Sequence, residues 1–367
     1  MSTPTAPAPR KRYRAPTISE ELRFRILSGE LKDRIPTEHE LAREFNVARS
    51  TVVRSLRAIE QEGLVWCKRG EGRFVVQPSQ RRRTATIGVV VHDMSLLSYP
   101  TTAQYLDGVQ QACLAADYHM QLFGFNPQVE HNGLQQVLDQ LDPSRLDGVV
   151  LMTWLVPEER VVQLSRRIPV VWMSRAATSP RIGTVASDIV GSNFEATNHL
   201  LGLGHRELLL VSIGADKLQG WQQREGMRIA MLQAVQSGKA RWRVVSALRN
   251  PTDEWSDEFR KVMSAPDRPT AIVFGSQELA LTGIGLLQQM KLQIPKDVSI
   301  ISTHDVLHPP QVPVPLTVIR LHLPEVGRQA VQMLIRMIAE PTTTQEPRYI
   351  PAELITRDST AAAPKRI

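Results

Sequence analysis

The sequence predicts a protein of two parts, a small α+β domain followed by a larger α/β domain with two doubly wound parallel-sheet lobes. Three helical segments and two short strands fill residues 17–77. From residue 86 onward, apolar runs of strand length alternate with helical stretches, as in sheets covered on both faces. A chain of 367 residues is also too long for one ordinary core.

Capping signals locate the N-terminal helices. Thr17 and Glu20 have capping-box spacing, so the first helix is expected to begin at Thr17. The same spacing recurs at Thr37 and Glu40 and places the start of the second helix. The third helix is expected over about residues 49–62, because its apolar side chains recur at helical spacing and a glycine follows.

A basic hairpin follows the third helix. Residues 64–68 and 73–77 alternate as two short strands around a turn that contains two glycines. Two closely set helices followed by such a hairpin are typical of proteins that enter DNA grooves. The charge supports this interpretation, since the net charge is +7 and the first 85 residues alone hold 18 Lys+Arg against 10 Asp+Glu. A polyanion is therefore the expected partner of this part of the chain.

The rest of the chain reads as alternating strands and helices. Strands are expected at residues 87–91, 120–125, 147–152, 169–173, 207–213, 271–275 and 297–302, and helices at 103–117, 132–141, 192–203, 224–236 and 277–291. About ten strands suit two lobes better than one. Ligands of such sheets bind beyond the carboxyl ends of the strands.

Composition excludes several classes of protein. The N-terminus has basic residues but no apolar stretch after them, and no apolar run reaches the ~20 residues that span a bilayer, so we expect a cytoplasmic protein without a membrane segment. Cys67 and Cys113 have neither metal-ligand nor redox spacing and are expected to be reduced thiols. We expect no metal and no cofactor.

The N-terminal part resembles the winged helix-turn-helix of the GntR family. The matching segments are IPTEHELAREFNVARSTVVRSLRAIEQEGL and RGEGRFVV. The remainder resembles the effector domain of LacI/GalR regulators, which is periplasmic-binding-protein-like. Three segments carry that likeness: SDIVGSNFEATNHLLGLGHRELLLVSI, RPTAIVFGSQELALTGIGLLQQMKLQIPKDVSIISTHD, and PLTVIRLHLPEVGRQAVQMLIRMI with IPAELITRDST. The same combination is found in arabinose-responsive repressors.

The resemblance implies a domain plan. It comprises a disordered basic arm at 1–16, a winged helix-turn-helix at 17–77, a linker at 78–85, an effector domain at 86–362 and a tail at 363–367, with crossovers between the lobes near 188, 303 and 322.

The resemblance also implies the DNA contacts. Arg49 is the candidate for base recognition, because a guanidinium can bind guanine O6 and N7 together. Ser50 and Thr51 suit phosphate contacts at a helix N-terminus. The full set is Thr37, His39, Arg49, Ser50, Thr51, Arg54, Lys68, Arg69, Gly70 and Arg73. The chain departs from the family at Ala48, where the usual hydroxyl cap of the third helix is missing.

By the same resemblance, a ligand would lie between the two lobes. The implied contacts are Tyr99, Thr102, Tyr105, Ser174, Arg175, Asp188, Trp221, Gln223, Arg224, Ser276, His304 and Leu323. Aromatic faces and paired polar groups suit a sugar. Relatives that bind sugars often have Asp at the positions of Ser174 and His304, so a less hydroxylated or differently charged ligand stays open.

These observations predict a ligand-responsive transcriptional regulator, a repressor that binds double-stranded operator DNA as a homodimer. Three alternatives remain at this stage. An enzyme fused to the DNA-binding domain would need a lysine for a pyridoxal cofactor, and no hydrolase or nucleotide-binding spacing is present. A transport protein would need a signal peptide. A DNA-binding protein without a ligand would show no thermal response to metabolites.

Overall fold

The computed structural model describes residues 15–68, 70–77, 83–91, 100–124, 133–153, 156–173, 177–214, 218–236, 240–247, 254–305, 312, 314–341 and 343–365, excluding the side chains of 233, 235, 236 and 254. Residues 1–14 of the expected arm and most of the expected linker lie outside these residues, whereas Ala15 and Pro16, the end of the expected arm, belong to a helix. So do Arg69, Tyr99, Ser174 and Arg175, whose predicted roles stay predictions.

The described chain forms eleven helices and fourteen strands. The helices are α1 (Ala15–Leu27), α2 (Glu38–Glu44), α3 (Arg49–Gln61), α4 (Pro100–Ala115), α5 (Gly133–Gln140), α6 (Glu158–Ser165), α7 (Ile189–Gly202), α8 (Leu218–Gln236), α9 (Glu254–Ser264), α10 (Gln277–Gln289) and α11 (Leu323–Ala339). The strands are β1 (Val65–Lys68), β2 (Gly72–Val75), β3 (Thr86–Val91), β4 (His119–Gly124), β5 (Gly148–Leu151), β6 (Val170–Trp172), β7 (Ile182–Ser187), β8 (Glu207–Ile213), β9 (Arg241–Ala247), β10 (Ala271–Phe274), β11 (Ser299–Thr303), β12 (Thr317–Arg320), β13 (Arg348–Ile350) and β14 (Glu353–Ile355).

The N-terminal domain has the predicted elements with one corrected boundary. Helix α1 begins at Ala15 rather than Thr17. The reason is Pro16, which is favoured in a first helical turn and accepts a hydrogen bond from Ser19 Oγ through its carbonyl at 2.8 Å. The capping box predicted at Thr37 and Glu40 is confirmed, with both reciprocal hydrogen bonds present.

One apolar core holds α1, α2, α3 and the β1–β2 ribbon together. Its largest members come from the inward stripes of the three helices and include Ile18, Leu22, Leu41, Leu56 and Ile59, all at most 1% exposed. Val65 and Val75 pair across the antiparallel ribbon and close the core from the strand side. Packing of these stripes therefore fixes α3 and the ribbon relative to each other.

The chain divides into two compact units. The first comprises Met1–Leu97, Leu106–Val185 and Gly327–Arg348, and the second comprises Ser98–Tyr105, Ala186–Val326 and Tyr349–Ile367. The chain therefore passes from the first unit to the second after residues 97, 185 and 348, and it returns to the first unit after residues 105 and 326. Residue 303, where a crossover was expected, lies inside the second unit.

Each unit contains one six-stranded sheet. The strand order is β13-β7-β6-β5-β3-β4 in the first unit's sheet and β14-β12-β11-β10-β8-β9 in the other. The pairs among β3–β7 and among β8–β12 are parallel, which confirms the predicted doubly wound architecture. Among the strands expected from the sequence, none lies at the positions of β7, β9, β12, β13 and β14. The central strands are buried along their whole length, as expected when helices cover both faces of a sheet.

Candidate nucleic-acid interface and ligand-binding residues

The N-terminus of α3 presents its side chains to solvent. Ala48 is the N-cap residue and makes no side-chain capping bond, as the sequence predicted. Arg49 and Ser50 are exposed, Thr51 is partly exposed, and Arg54 is exposed one turn on. Helix N-termini favour anions because their first N–H groups have no partner within the helix. This end of α3 can therefore meet a phosphate and a base edge together.

Glu38 joins α3 to the ribbon. Its carboxylate accepts a hydrogen bond from Arg49 Nε at 2.7 Å and another from Arg73 Nη1 at 2.9 Å. These two bonds, the one from Arg49 first, hold the pKa of Glu38 below its ordinary value, so the carboxylate stays ionised. Sequence reasoning missed Glu38 because nothing in its spacing distinguishes it from an ordinary first-turn acid of α2.

The two arginines on Glu38 differ in accessibility. The Arg49 side chain is 62% exposed, so it can exchange its carboxylate partner for a base without unpacking. The Arg73 side chain is only 19% exposed and also lies 3.7 Å from Glu60, measured from Nε to Oε2. Arg73 thus braces the ribbon against α2 and α3, whereas Arg49 faces outward.

The tip of the ribbon has the geometry of a wing. Gly70 and Gly72 adopt φ of 83° and 107°, in the region that favours glycine. Lys68 Nζ lies 2.7 Å from Glu71 Oε1, and both side chains are about half exposed. Such a pair contributes little to stability, so Lys68 remains available to a phosphate. Thr37, an N-cap, and His39 are exposed on α2 beside this face of the domain.

Several predicted ligand residues serve the second unit's own structure. Gln223 is fully buried; its Oε1 accepts from Ile213 N–H at 3.2 Å and its Nε2 donates to Gly275 O at 2.8 Å. Ser276 caps α10 by accepting from Leu279 N–H, and Asp188 caps α7 by accepting from Gly191 N–H. Gln223 thus joins the ends of β8 and β10, whereas Ser276 and Asp188 stabilise the N-termini of α10 and α7.

Two further predicted ligand residues pack into the core. Leu323 is 3% exposed and lies in the cluster formed by α7, α8 and their sheet. Tyr105 packs against the same cluster, and its hydroxyl lies 3.5 Å from Ser187 Oγ. Burial raises the pKa of Tyr105. Both positions are those expected of packing residues.

His304 differs from this group because a buried polar atom of its side chain has no partner among the described residues. Its backbone has a φ of 75°, and its N–H donates to Ile319 O at 2.9 Å. Among the described residues, none forms a hydrogen bond with its buried Nδ1. Burial lowers the pKa of the ring, which favours the neutral form. A neutral ring with one free nitrogen can donate to or accept from a ligand hydroxyl.

Two buried hydroxyls accompany His304 and were missed by sequence reasoning. Ser212 Oγ and Thr303 Oγ1 have no hydrogen-bond partner within the described part of the chain. The strand register places Ser212 and Thr303 on either side of Gly275, at the carboxyl ends of β8 and β11. No sequence signal marks them, because an unsatisfied hydroxyl is visible only once neighbours are known.

Asp305, which follows His304 in the chain, forms ion pairs with two arginines. Its Oδ2 accepts from Arg320 at 2.6 Å and from Arg357 at 3.0 Å. Burial raises the pKa of this carboxyl, but the hydrogen bonds from the two arginines outweigh burial and lower it overall. Asp305 therefore ties β11 to β12 and to the C-terminal segment.

The remaining predicted ligand residues are accessible. Trp221 on α8 is 53% exposed, and Thr102 on α4 and Arg224 on α8 are partly exposed. Across the residues that the structure covers, no three His, Cys, Asp or Glu side chains come together as metal ligands. None of the helices, within the same residues, combines the length and the apolar character needed to cross a membrane.

Family models match both parts of the chain. Residues 14–75 match the model described as bacterial regulatory proteins, gntR family. Residues 197–360 match a periplasmic binding protein-like domain.

Individual proteins are similar over most of the chain. The arabinose metabolism transcriptional repressor of Geobacillus stearothermophilus is 28% identical over 361 residues, covering 94% of this chain and 96% of the relative. The ribose operon repressor of Escherichia coli (strain K12) is 25% identical, covering 76% of this chain and 82% of its own. The crystal structure of a LacI transcriptional regulator from a Rhodococcus species has the same fold, with a TM-score of 0.65, 23% identity, and coverage of 76% and 100%.

Proposed function

We propose that this chain, which joins a DNA-binding domain of the gntR family to a periplasmic-binding-protein-like domain, is a transcriptional repressor controlled by a small molecule. The observation that carries the proposal is the pairing of two features on one chain. An exposed helix N-terminus with Arg49 is suited to DNA. A doubly wound unit whose strand ends carry buried polar groups without a partner in the described part of the chain is suited to a ligand.

On the DNA side, Arg49 is the base-reading residue. Ser50, Thr51, Lys68 and the tip of the wing contact phosphates on either side of it. Glu38 holds the Arg49 side chain before DNA arrives, which reduces the entropy that ordering this long side chain would cost. Arg73 acts through Glu38 rather than directly, because its guanidinium is largely buried.

On the ligand side, His304 is the principal contact that the second unit provides. Ser212 and Thr303 add hydroxyl groups, and Trp221 offers an aromatic face. The ligand is a sugar or a sugar derivative, which is supported by the arabinose and ribose repressors among the relatives. A neutral histidine in place of a carboxylate favours a ligand that presents acceptors as well as hydroxyl donors.

The repressor acts as a homodimer on a roughly palindromic operator, since a two-fold protein reads two half-sites. Ligand binding alters operator affinity only to the extent that the ligand prefers one of two conformations. The sign of the response, release or promotion of DNA binding, follows from which conformation that is.

A thermal-shift screen coupled to a gel mobility shift tests this function. The screen uses L-arabinose, D-ribose, other pentoses and hexoses, sugar acids and sugar phosphates. The gel shift uses DNA upstream of the protein's own gene. We expect at least one compound to raise the Tm and to change the DNA affinity at the same concentration. The function is wrong if the DNA is not bound, or if no compound changes either measurement.

His304→Ala serves as the matched variant in this screen. It should lose the thermal response to the compound while keeping wild-type DNA affinity without it. Trp221→Ala should weaken the response less, because its side chain offers a face but no hydrogen bond.

A further inference from the structure

The DNA-binding domain makes an aromatic contact with the effector part of the same unit. Phe24 lies on α1 and is partly buried, two residues after Leu22, which faces the domain's own core. A helix turns about 100° per residue, so Phe24 lies on a different face from Leu22. Phe24 is also not among the described residues that form or line the apolar core of the DNA-binding domain.

Two arginines of the effector part converge on this ring. The guanidinium carbon of Arg181 lies 4.2 Å from the ring centroid of Phe24, and that of Arg166 lies 5.4 Å from it. Both distances fall within the ~6 Å range of cation–π attraction. We call these three residues the arginine clasp.

The clasp brings together separate elements. Arg166 is the C-cap residue of α6, and Arg181 directly precedes β7. Burial, and to a lesser extent the like charge of Arg166, lowers the pKa of Arg181. Attraction by the electron-rich face of one ring offsets the repulsion between these like charges. The ring of Phe24 thus stabilises the close approach of the two guanidinium groups.

The chain is attached to the same unit at a second point. The Asp147 carboxylate, just before β5, accepts from Thr84 N–H at 2.8 Å, Thr84 Oγ1 at 2.9 Å and Ala85 N–H at 3.1 Å. Ala85 adopts a φ of 51° there. The last residues before β3 are therefore fixed to the first sheet, independently of Phe24.

The clasp leaves the DNA-reading face open. Arg49 and Lys68 are both more than half exposed while the clasp is formed. The clasp therefore holds the DNA-binding domain without covering its DNA-binding face. This argues against an autoinhibitory role.

We propose that the arginine clasp fixes the orientation of the DNA-binding domain on the effector domain, so that the domain is carried as a rigid body rather than on a loose tether. A fixed orientation matters for a dimeric reader, because two half-sites lie about 34–36 Å, or one helical turn, apart. Arg181 also directly precedes β7, and the chain enters the second unit near the end of that strand. The clasp thus connects the DNA-binding domain to β7, the strand that leads into the second unit. The role of the clasp in orienting the domain on DNA rests on the proposed function, but the contact itself does not.

Time-resolved fluorescence anisotropy of the full chain tests the clasp. Cys67 on the wing is exposed and Cys113 is buried, so a maleimide fluorophore attaches to the DNA-binding domain without any engineered cysteine. In the wild type we expect the anisotropy to decay with the slow correlation time of the whole protein, apart from local motion of the dye.

Three variants separate the cation–π contact from packing. Phe24→Leu keeps an apolar side chain but removes the ring face, and it should add a component with the correlation time of a free small domain. Phe24→Tyr keeps the ring and should behave as the wild type. Arg166→Gln combined with Arg181→Gln should reproduce Phe24→Leu from the opposite side of the contact.

The clasp is refuted if the wild-type domain already tumbles independently, or if the leucine and tyrosine variants decay alike. It is also refuted if the double glutamine variant retains the wild-type decay. Should Phe24→Leu fail to fold, the glutamine variant decides alone, because its substitutions lie outside the DNA-binding domain. No ligand or operator is needed, so a failure of the clasp is distinguishable from a failure of the proposed function.

Discussion

The carboxylate of Glu38 holds the guanidinium of Arg49 at 2.7 Å, joining the first turn of α2 to the first turn of α3. The same carboxylate binds Arg73 of the ribbon, so one acid connects all three elements of the proposed DNA interface. Loss of this acid should leave Arg49 exposed but no longer oriented. The role of Arg49 can therefore be tested by substituting Arg49 and Glu38 separately.

Replacement of Arg49 by alanine should remove the recognition of sequence while weak, salt-sensitive binding persists. A bidentate arginine–guanine contact contributes about 1–3 kcal/mol of discrimination. Footprinting on the upstream DNA, with gel shifts against a scrambled sequence, measures this. An unaltered footprint would show that α3 is not the recognition helix.

Replacement of Lys68 by alanine should weaken binding to specific and scrambled DNA by similar factors. Because one phosphate contact is lost, the slope of log affinity against log salt should decrease by about one. Titrations at several salt concentrations give the slope. Glu71→Ala is the matched control, since it removes the partner of Lys68 but keeps the positive charge, and it should not decrease the slope.

Truncation of Gln223 should cost much more stability than truncation of Trp221, although both residues lie on α8. Gln223→Ala leaves the buried Ile213 N–H and Gly275 C=O without their partner, at a cost of about 1–3 kcal/mol for each unsatisfied group. Trp221→Ala changes a half-exposed side chain and should alter the free energy of unfolding by only about 0.5 kcal/mol or less. Thermal unfolding distinguishes them. Equal losses of stability would contradict the structural role given to Gln223.

The ion pairs of Asp305 should make the stability of the second unit depend on acid pH. The folded pKa of Asp305 lies below its ordinary value of 3.8, so its contribution is complete above that value and is lost as the pH falls through the folded pKa. Asp305→Asn should therefore lower the Tm at pH 7, and the difference from wild type should shrink below about pH 4. A difference that stays constant down to pH 3 would exclude this role of the carboxylate.

The two cysteines should differ sharply toward thiol reagents. Cys67 is exposed, whereas Cys113 is buried on α4 and burial raises its pKa to about 11. At pH 8 a thiol-specific reagent should modify one cysteine in the native protein and both in denaturant. Mass spectrometry of the modified peptides identifies which one reacts first. Rapid native modification of Cys113 would show that α4 opens, and it would also change the labelling scheme for the clasp.

Local patterns were sufficient for most of the fold. The capping box of α2, the missing cap of α3 at Ala48, and the strands β3, β8 and β10 each depend on residues close in sequence, so periodicity and cap chemistry predict them. The predicted start of α1 is two residues late, because the spacing of Thr17 and Glu20 indicates a cap whereas Pro16 already lies in the first helical turn. Strand β9 was missed, because an alternating strand with charged residues gives a weaker signal than a continuous apolar run.

The sequence by itself determined the two-part architecture, the location of the positive charge and the residues at the N-terminus of α3. Only the tertiary structure decided which polar side chains are engaged and which are left over. Gln223 and Arg73 are buried in internal contacts, whereas Arg49 is exposed and His304 Nδ1 has no partner among the described residues. The physical reason is that a hydrogen-bonding group is defined by its neighbours, and those neighbours lie tens of residues away along the chain.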